Sequence, residues 1–282
     1  MTGTTSTTKD TNNFSIFGAV FEFINYEHCQ TVGTPQYVIA FRGTLLRPEN
    51  WEEDIKLNFK LFLNGLQKSN RFRTGLEAAS QMINYQNVWL AGHSLGSSLA
   101  LAVGREMAKR FKVRLETYLY NPPFISLPID RIKSEKVKLG LRLTGSLLTA
   151  GLTADVAAAT DVIKTDSFDA LSTWVPYLFI NRADPIFSEY VGYFKGRESM
   201  EAIGAGKIVR VATKISVLSM FSSREPLHLL PSAHITLNVM AATMFTGAHG
   251  RICKEWLRFK EAHGIDQWWR RDLKVENNHY RH

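Results

Sequence analysis

Gly92-His93-Ser94-Leu95-Gly96 matches the pattern G-x-S-x-G, a serine hydroxyl between two glycines. A serine so placed does nucleophilic chemistry when the chain forces it onto a sharp strand-to-helix turn. Its flanks ask for that turn. Val88-Trp89-Leu90-Ala91 is a short apolar run that reads as a buried strand. Ser97-Ser98-Leu99-Ala100-Leu101-Ala102-Val103, continuing to Lys109 and Arg110, reads as a helix with small residues in its first turn and cations in its last. Gly92 and Gly96 then stand where a Cβ would collide with the crossing strand and helix. Ser94 is expected in a strained conformation with its hydroxyl at the sheet's edge, and the N–H of Leu95 faces the space in front of it. Such a hydroxyl attacks an acyl carbonyl if a base takes its proton and an acid holds that base's tautomer.

The elements around this turn alternate between strand and helix, which argues for an α/β sheet. Phe17 to Ile24 is apolar and fits a first helix or strand. Gln36 to Phe41 is rich in aromatic and β-branched residues and reads as a strand, Leu76 to Tyr85 as a helix, and Glu116 to Tyr120 as a strand closed by Asn121-Pro122-Pro123. From Ile125 to about Thr173 the alternation stops. The centre of that stretch, "LGLRLTGSLLTAGLTADVAAAT", is apolar and rich in small residues, and is expected to be a helical insertion over the sheet's carboxyl edge. Strands resume at Val175 to Ile180 and at Lys207 to Ala212; Leu227 to Val239 is extended, and a last helix runs from Lys254 to about His263.

Composition bounds the rest. The 282 residues, 45% hydrophobic and 21% charged, suit a globular chain with a sizeable core. Residues 14–282 read as one domain. Residues 1–13, polar and Thr-rich, read as a disordered leader without the apolar core of a secretory signal. A plastid transit peptide shares that composition, but this stretch is short and has no Arg, so a cytoplasmic location is the expectation. No apolar run is long enough to span a bilayer. Two cysteines, Cys29 and Cys253, make neither a disulfide framework nor a metal spacing. The net charge of +8 is scattered among acids, with no concentrated stripe and no nucleic-acid module. It is compatible with transient attraction to an anionic membrane or lipid surface.

A second block sharpens the reading. Phe41-Arg42-Gly43-Thr44 followed by Asn50-Trp51-Glu52-Glu53-Asp54 resembles the "FRG(S/T)…NW…D" block of class 3 lipases, and the gap to the Ser94 pentamer is similar to theirs. "AHGIDQWW", Ala262 to Trp269, resembles a signature of their plant lipase-like branch, some members of which are labelled GDSL esterase/lipase although no GDSL block stands here. The chain departs from the family at Arg73-Thr74-Gly75-Leu76, where many members have His-x-Gly-Phe, and in the 125–173 insertion. The resemblance implies an α/β-hydrolase fold: a mostly parallel central sheet with helices on both faces. It also implies an oxyanion hole made by the N–H of Leu95 and by Thr44, with Asp54 a structural carboxylate; the spacing suggests Arg42 as an ion-pair partner for it.

In that fold the triad follows in the order Ser, acid, His, the acid lying in a loop past a strand's carboxyl end. In "PYLFINRADPI" the strand ends at Ile180 and Asp184 follows it; the plainer use of Asp184 is to start a turn before Pro185. Asp155, Asp161, Asp166 and Asp169 precede the strand. His263, at a helix end before Gly264 and Ile265, resembles the place where class 3 lipases carry the base. His228 and His234 remain alternatives, His249 sits in a glycine-rich turn, and His279 and His282 belong to a polar tail. His93 leaves the turn away from Ser94 and is expected to pack.

The chemistry expected is hydrolysis of a lipid or small ester through an acyl-enzyme on Ser94, needing no metal or cofactor. The insertion and Leu57 to Leu66 are candidates for an acyl pocket or lid, core packing being the plainer use of both. The alternatives are a lipase-like scaffold that binds a small ligand or protein partner without turnover, and an acyltransferase or thioesterase with the same triad; fold does not separate them.

Overall fold

The computed structural model describes residues 4–9, 16–23, 33–43, 65–85, 87–124, 171–184, 189–202, 230–240 and 251–281. They form one eight-stranded sheet whose spatial order follows the chain: β1 (Thr4–Lys9), β2 (Ile16–Glu22), β3 (Tyr37–Phe41), β4 (Val88–His93), β5 (Glu116–Tyr120), β6 (Tyr177–Asn181), β7 (Ala233–Asn238) and β8 (Val275–Tyr280). Strands β3 to β7 pair in parallel; the β1–β2, β2–β3 and β7–β8 pairings are antiparallel. Among the described residues four α-helices accompany them: α1 (Asn70–Gln81), α2 (Leu95–Glu106), α3 (Glu189–Ala202) and α4 (Arg251–His263). This is a mostly parallel α/β architecture.

Strictly sequential parallel strands have a consequence. Right-handed crossovers, nearly universal in such units, return every crossover helix to the same face of the sheet. Burial follows that rule. Val88 and Leu90 on β4, Thr117 and Leu119 on β5, Leu178 and Ile180 on β6, and Ile235 and Leu237 on β7 are buried on one face. The intervening Trp89, Tyr118, Tyr177 and His234 are only half-buried on the other. Helix α2 lies over the buried face and is itself buried from Leu95 to Arg105, as a helix wedged between a sheet and further structure must be. Helix α1 packs on it where Gly75 admits Phe41 and Val103: a Cβ there would come within 2.9 Å of the Phe41 ring and 3.3 Å of Val103. The opposite face is covered at its carboxyl end by the last turn of α4 and the 3₁₀ turn Ile265–Trp269, whose Trp268 meets Phe179 edge-on and whose Trp269 stacks on Tyr120.

Four expectations change. Residues 4–9, expected in a disordered leader, form edge strand β1 against β2; threonine is β-branched, and an edge strand has no need of an apolar pattern. The polar tail likewise forms β8, paired with β7. Helix α1 begins at Asn70 rather than Leu76, because Ser69 caps it by accepting the Phe72 N–H at 3.1 Å. Helix α2 ends at Glu106 in α form, and Met107–Phe111 winds on as a π turn. The 125–170 part of the insertion, the Lys207–Ala212 strand and the 44–64 segment lie outside the described residues. Among the described residues, no helix is long and apolar enough to cross a membrane.

Candidate active site

Strand β4 ends at His93 and α2 begins at Leu95, so the turn between them is a single residue, Ser94. Its backbone stands at φ 56° and ψ −126°, a conformation that costs a non-glycine residue of order 1–3 kcal/mol. Surrounding bonds hold it there. The Ser94 N–H donates to the Tyr120 carbonyl at 2.9 Å, and its own carbonyl accepts from the Ser97 N–H at 3.0 Å and the Ser97 hydroxyl at 2.5 Å. The glycines are steric requirements. A Cβ on Gly92 would lie 2.3 Å from the Gly96 carbonyl oxygen, and one on Gly96 would lie 2.2 Å from that of Phe41. The carboxyl end of β3 thus crosses directly over the first turn of α2. Gly43, next along that segment, brings its backbone against the serine, since a Cβ there would lie 3.2 Å from the Ser94 Cβ. The first N–H groups of a helix have no acceptor within it, so Leu95, the first residue of α2, offers such a donor beside Ser94.

The candidate acid and the candidate base meet at the same end of the sheet. Asp184, three residues past β6, is fully buried, and its Oδ2 accepts the Nδ1–H of His263 at 2.7 Å. That bond fixes the tautomer: Nδ1 carries the proton, and Nε2 is the basic nitrogen on the ring's far side. His263 is the last residue of α4 and is itself buried. Its connection to the elbow runs through His93. The His93 Nε2–H donates to the His263 carbonyl at 2.7 Å, and the two rings lie 4.8 Å apart. Burial, together with the neighbouring His263 ring, lowers the pKa of His93 to about 4. His93 is therefore neutral at ordinary pH and serves as a fixed donor.

Similar proteins supply the lineage. A family profile described as Mbeg1-like matches residues 18–126, a span from β2 past the end of β5 that includes the elbow. The protein GDSL esterase/lipase At4g10955 of Arabidopsis thaliana is 39% identical over 285 residues, covering 95% of this chain and 77% of its own length. The chain belongs to this plant lipase-like family. No solved structure matches it.

Within this member of the family, the sequence candidates separate in space. Ser94 and the Asp184–His263 pair share the carboxyl ends of the parallel strands, where open α/β sheets hold their ligands. His234 does not join them. It lies inside β7, level with Tyr177 on β6, Tyr118 on β5 and Ala91 on β4. Three strand spacings put it roughly 14 Å from β4. There it stacks on Tyr177 and meets His279 of β8 through their Nδ1 atoms. Thr44, His228, His249 and Asp54 lie outside the described residues. The ion-pair partner proposed for Arg42 is among them; within the described residues, Arg42 donates to the Ile16 carbonyl at 3.4 Å.

Residues that sequence reasoning passed over surround the pair. Asn121, the first residue after β5, donates through Nδ2 to Asp184 Oδ2 at 2.7 Å. Gln267 accepts at Oε1 from the side chains of Asn181 at 2.6 Å and Asn238 at 2.8 Å, and donates through Nε2 to the carbonyls of Ala262 and Gly264. The ends of β6 and β7 are thereby tied to the residues on either side of His263. Buried amides are kept only when their hydrogen bonds are satisfied. The available signal was the Gln inside "AHGIDQWW" and the Asn closing β5; neither type announces burial.

Proposed function

We propose that this protein is a serine esterase of the α/β-hydrolase class 3 type, hydrolysing carboxylic esters of lipid character through Ser94, Asp184 and His263. The observation that carries the reading is the pairing of a strained Ser94, held at positive φ between β4 and α2, with a buried Asp184–His263 couple at the same sheet edge. Membership of a family in which a 39% identical relative is named esterase/lipase supports the ester class.

In this mechanism Ser94 Oγ attacks the ester carbonyl carbon while His263 Nε2 takes the hydroxyl proton. The Asp184 carboxylate stabilises the resulting imidazolium without taking its proton. The Leu95 N–H stabilises the tetrahedral oxyanion, with Thr44 as the second donor that the class 3 resemblance implies; donors of this kind are worth about 3 kcal/mol each in the transition state. As the intermediate collapses, the C–O bond to the alcohol breaks and the imidazolium protonates the leaving oxygen. Water then attacks the acyl-Ser94 ester, again giving its proton to His263, and the acid leaves with Ser94 restored.

The test is hydrolysis of p-nitrophenyl esters of short to long acyl chains by the wild type and Ser94→Ala. Turnover by the wild type that disappears in the variant supports the reading, and the preferred chain length reports the pocket. A folded wild type inert toward the whole series, and toward emulsified acylglycerols and phospholipids, transfers the family's scaffold to a binding role.

A further inference from the structure

We propose that Asn121 is a positioning residue of this site: its side-chain amide fixes the Asp184 carboxylate against His263. The inference rests on the triad reading above. Asn121 stands where β5 ends, on the strand between the one that leads to Ser94 and the one that leads to Asp184. It is fully buried. Its Nδ2 donates to Asp184 Oδ2 at 2.7 Å and to the carbonyl of Ala262, the residue before the base, at 3.2 Å. Its Oδ1 accepts the indole N–H of Trp268 at 3.3 Å. Its backbone N–H donates to Phe179 of β6 at 2.8 Å.

These partners leave one orientation of the amide. Two acceptors face the NH₂ and one donor faces the oxygen, so a flipped amide would set oxygen against the carboxylate and against a carbonyl. Asn121 Nδ2 and His263 Nδ1 converge on the same carboxylate oxygen. A second donor there defines the plane of the buried carboxylate. By holding the Ala262 carbonyl as well, the same amide couples the acid to the helix end that carries the base. The backbone conformation also suits asparagine. Asn121 has φ 45°, in the left-handed region where asparagine is among the few tolerated side chains.

That backbone selects the variants. Asn121→Gly accepts the positive φ without strain and removes the donor. Asn121→Asp keeps shape and φ tolerance but places a second carboxyl beside Asp184. The introduced carboxyl can donate to Asp184 only while the pair holds a proton, so any donor it supplies is lost as the pH rises. The expected result for Asn121→Gly is a kcat lowered roughly 10- to 100-fold with KM little changed, the scale of a misplaced catalytic group. For Asn121→Asp it is a new descending limb on the alkaline side of the kcat/KM profile, absent from the wild type. A purely structural role predicts a profile parallel to the wild type in both variants, or kcat for a folded Asn121→Gly within about twofold of the wild type; either overturns the proposal. The downfield proton resonance of His263 Nδ1–H, identified by its loss in His263→Ala, reads the same geometry without turnover. It moves or broadens away in Asn121→Gly if Asn121 positions the pair, and stays in place if it does not. A wild type that hydrolyses no ester overturns the esterase reading, and the resonance then decides the role of Asn121 alone.

Discussion

Two histidine pairs lie against the same sheet and differ in nearly everything that matters chemically. His93 and His263 meet at the carboxyl end of the parallel strands, where the Asp184 carboxylate accepts a hydrogen bond from the His263 ring and the His263 carbonyl accepts one from the His93 ring. His234 and His279 meet between β7 and β8, ring against ring at 4.3 Å with the Nδ1 atoms in contact and His279 exposed. Desolvation, then His279 and Arg281, lowers the His234 pKa; among its contacts in the described residues, no carboxylate orients it. A histidine becomes a candidate base through the groups that fix its tautomer, not through its place in the chain.

The comparison breaks first, and with the largest effect, at His263. Replacing it by Ala is expected to lower kcat by roughly 10⁴-fold or more, as removal of a triad base does elsewhere. Ester turnover against a circular-dichroism check of folding measures it, and residual activity near the wild-type level would remove His263 from the chemistry.

The next effect is on stability and lies with His93. An unfolded histidine titrates near 6.5, whereas His93 in the fold is held down to about 4 by burial and then by His263. Between those values the unfolded chain takes up a proton that the folded chain does not. The stabilisation tied to a neutral His93 is thus fully present above about pH 6.5 and is lost as pH falls toward about 4, amounting to about 3 kcal/mol at most. In His93→Gln the amide takes over the bond to the His263 carbonyl without titrating. Its melting temperature is expected to fall less steeply than that of the wild type between about pH 7 and pH 4.5; parallel curves would contradict the assignment.

The smallest effect belongs to the other pair. Replacing His234 or His279 with Ala is expected to leave kcat/KM within about twofold and stability within about 1 kcal/mol, the range of partly exposed side chains without a special role. A loss of activity comparable with that of His263→Ala would invert the comparison.

The elbow was legible in the sequence because its demands are local. One residue must turn the chain, and a Cβ on either Gly92 or Gly96 would fall within 2.3 Å of a backbone carbonyl oxygen. The strands β3 to β6 were legible because each alternates buried and half-buried residues. Asp184 and His263 stood out among rivals by position, and the bond between them joins residues 79 apart. The buried amides were hidden for the opposite reason. Asn121 is defined by partners 63 and 141 residues away, and Asn and Gln are ordinarily surface residues. Strands β1 and β8 were hidden because a polar edge strand carries no hydrophobic period. The expectation of helices on both faces did not foresee that Trp89, Tyr118 and Tyr177 stand only half-buried on the face opposite Leu90, Leu119 and Leu178.

The central claim is that Ser94 is a nucleophile activated by His263. An alkyl fluorophosphonate reacts covalently with such a serine hydroxyl and needs no knowledge of the natural ester. The direct measurement is peptide mapping by mass spectrometry after treating the wild type, Ser94→Ala and His263→Ala with this reagent. A phosphonylated Ser94 in the wild type, with no adduct in the first variant and a strongly slowed reaction in the second, is the predicted result. Labelling at another serine, or labelling of Ser94 at an unchanged rate without His263, would contradict it.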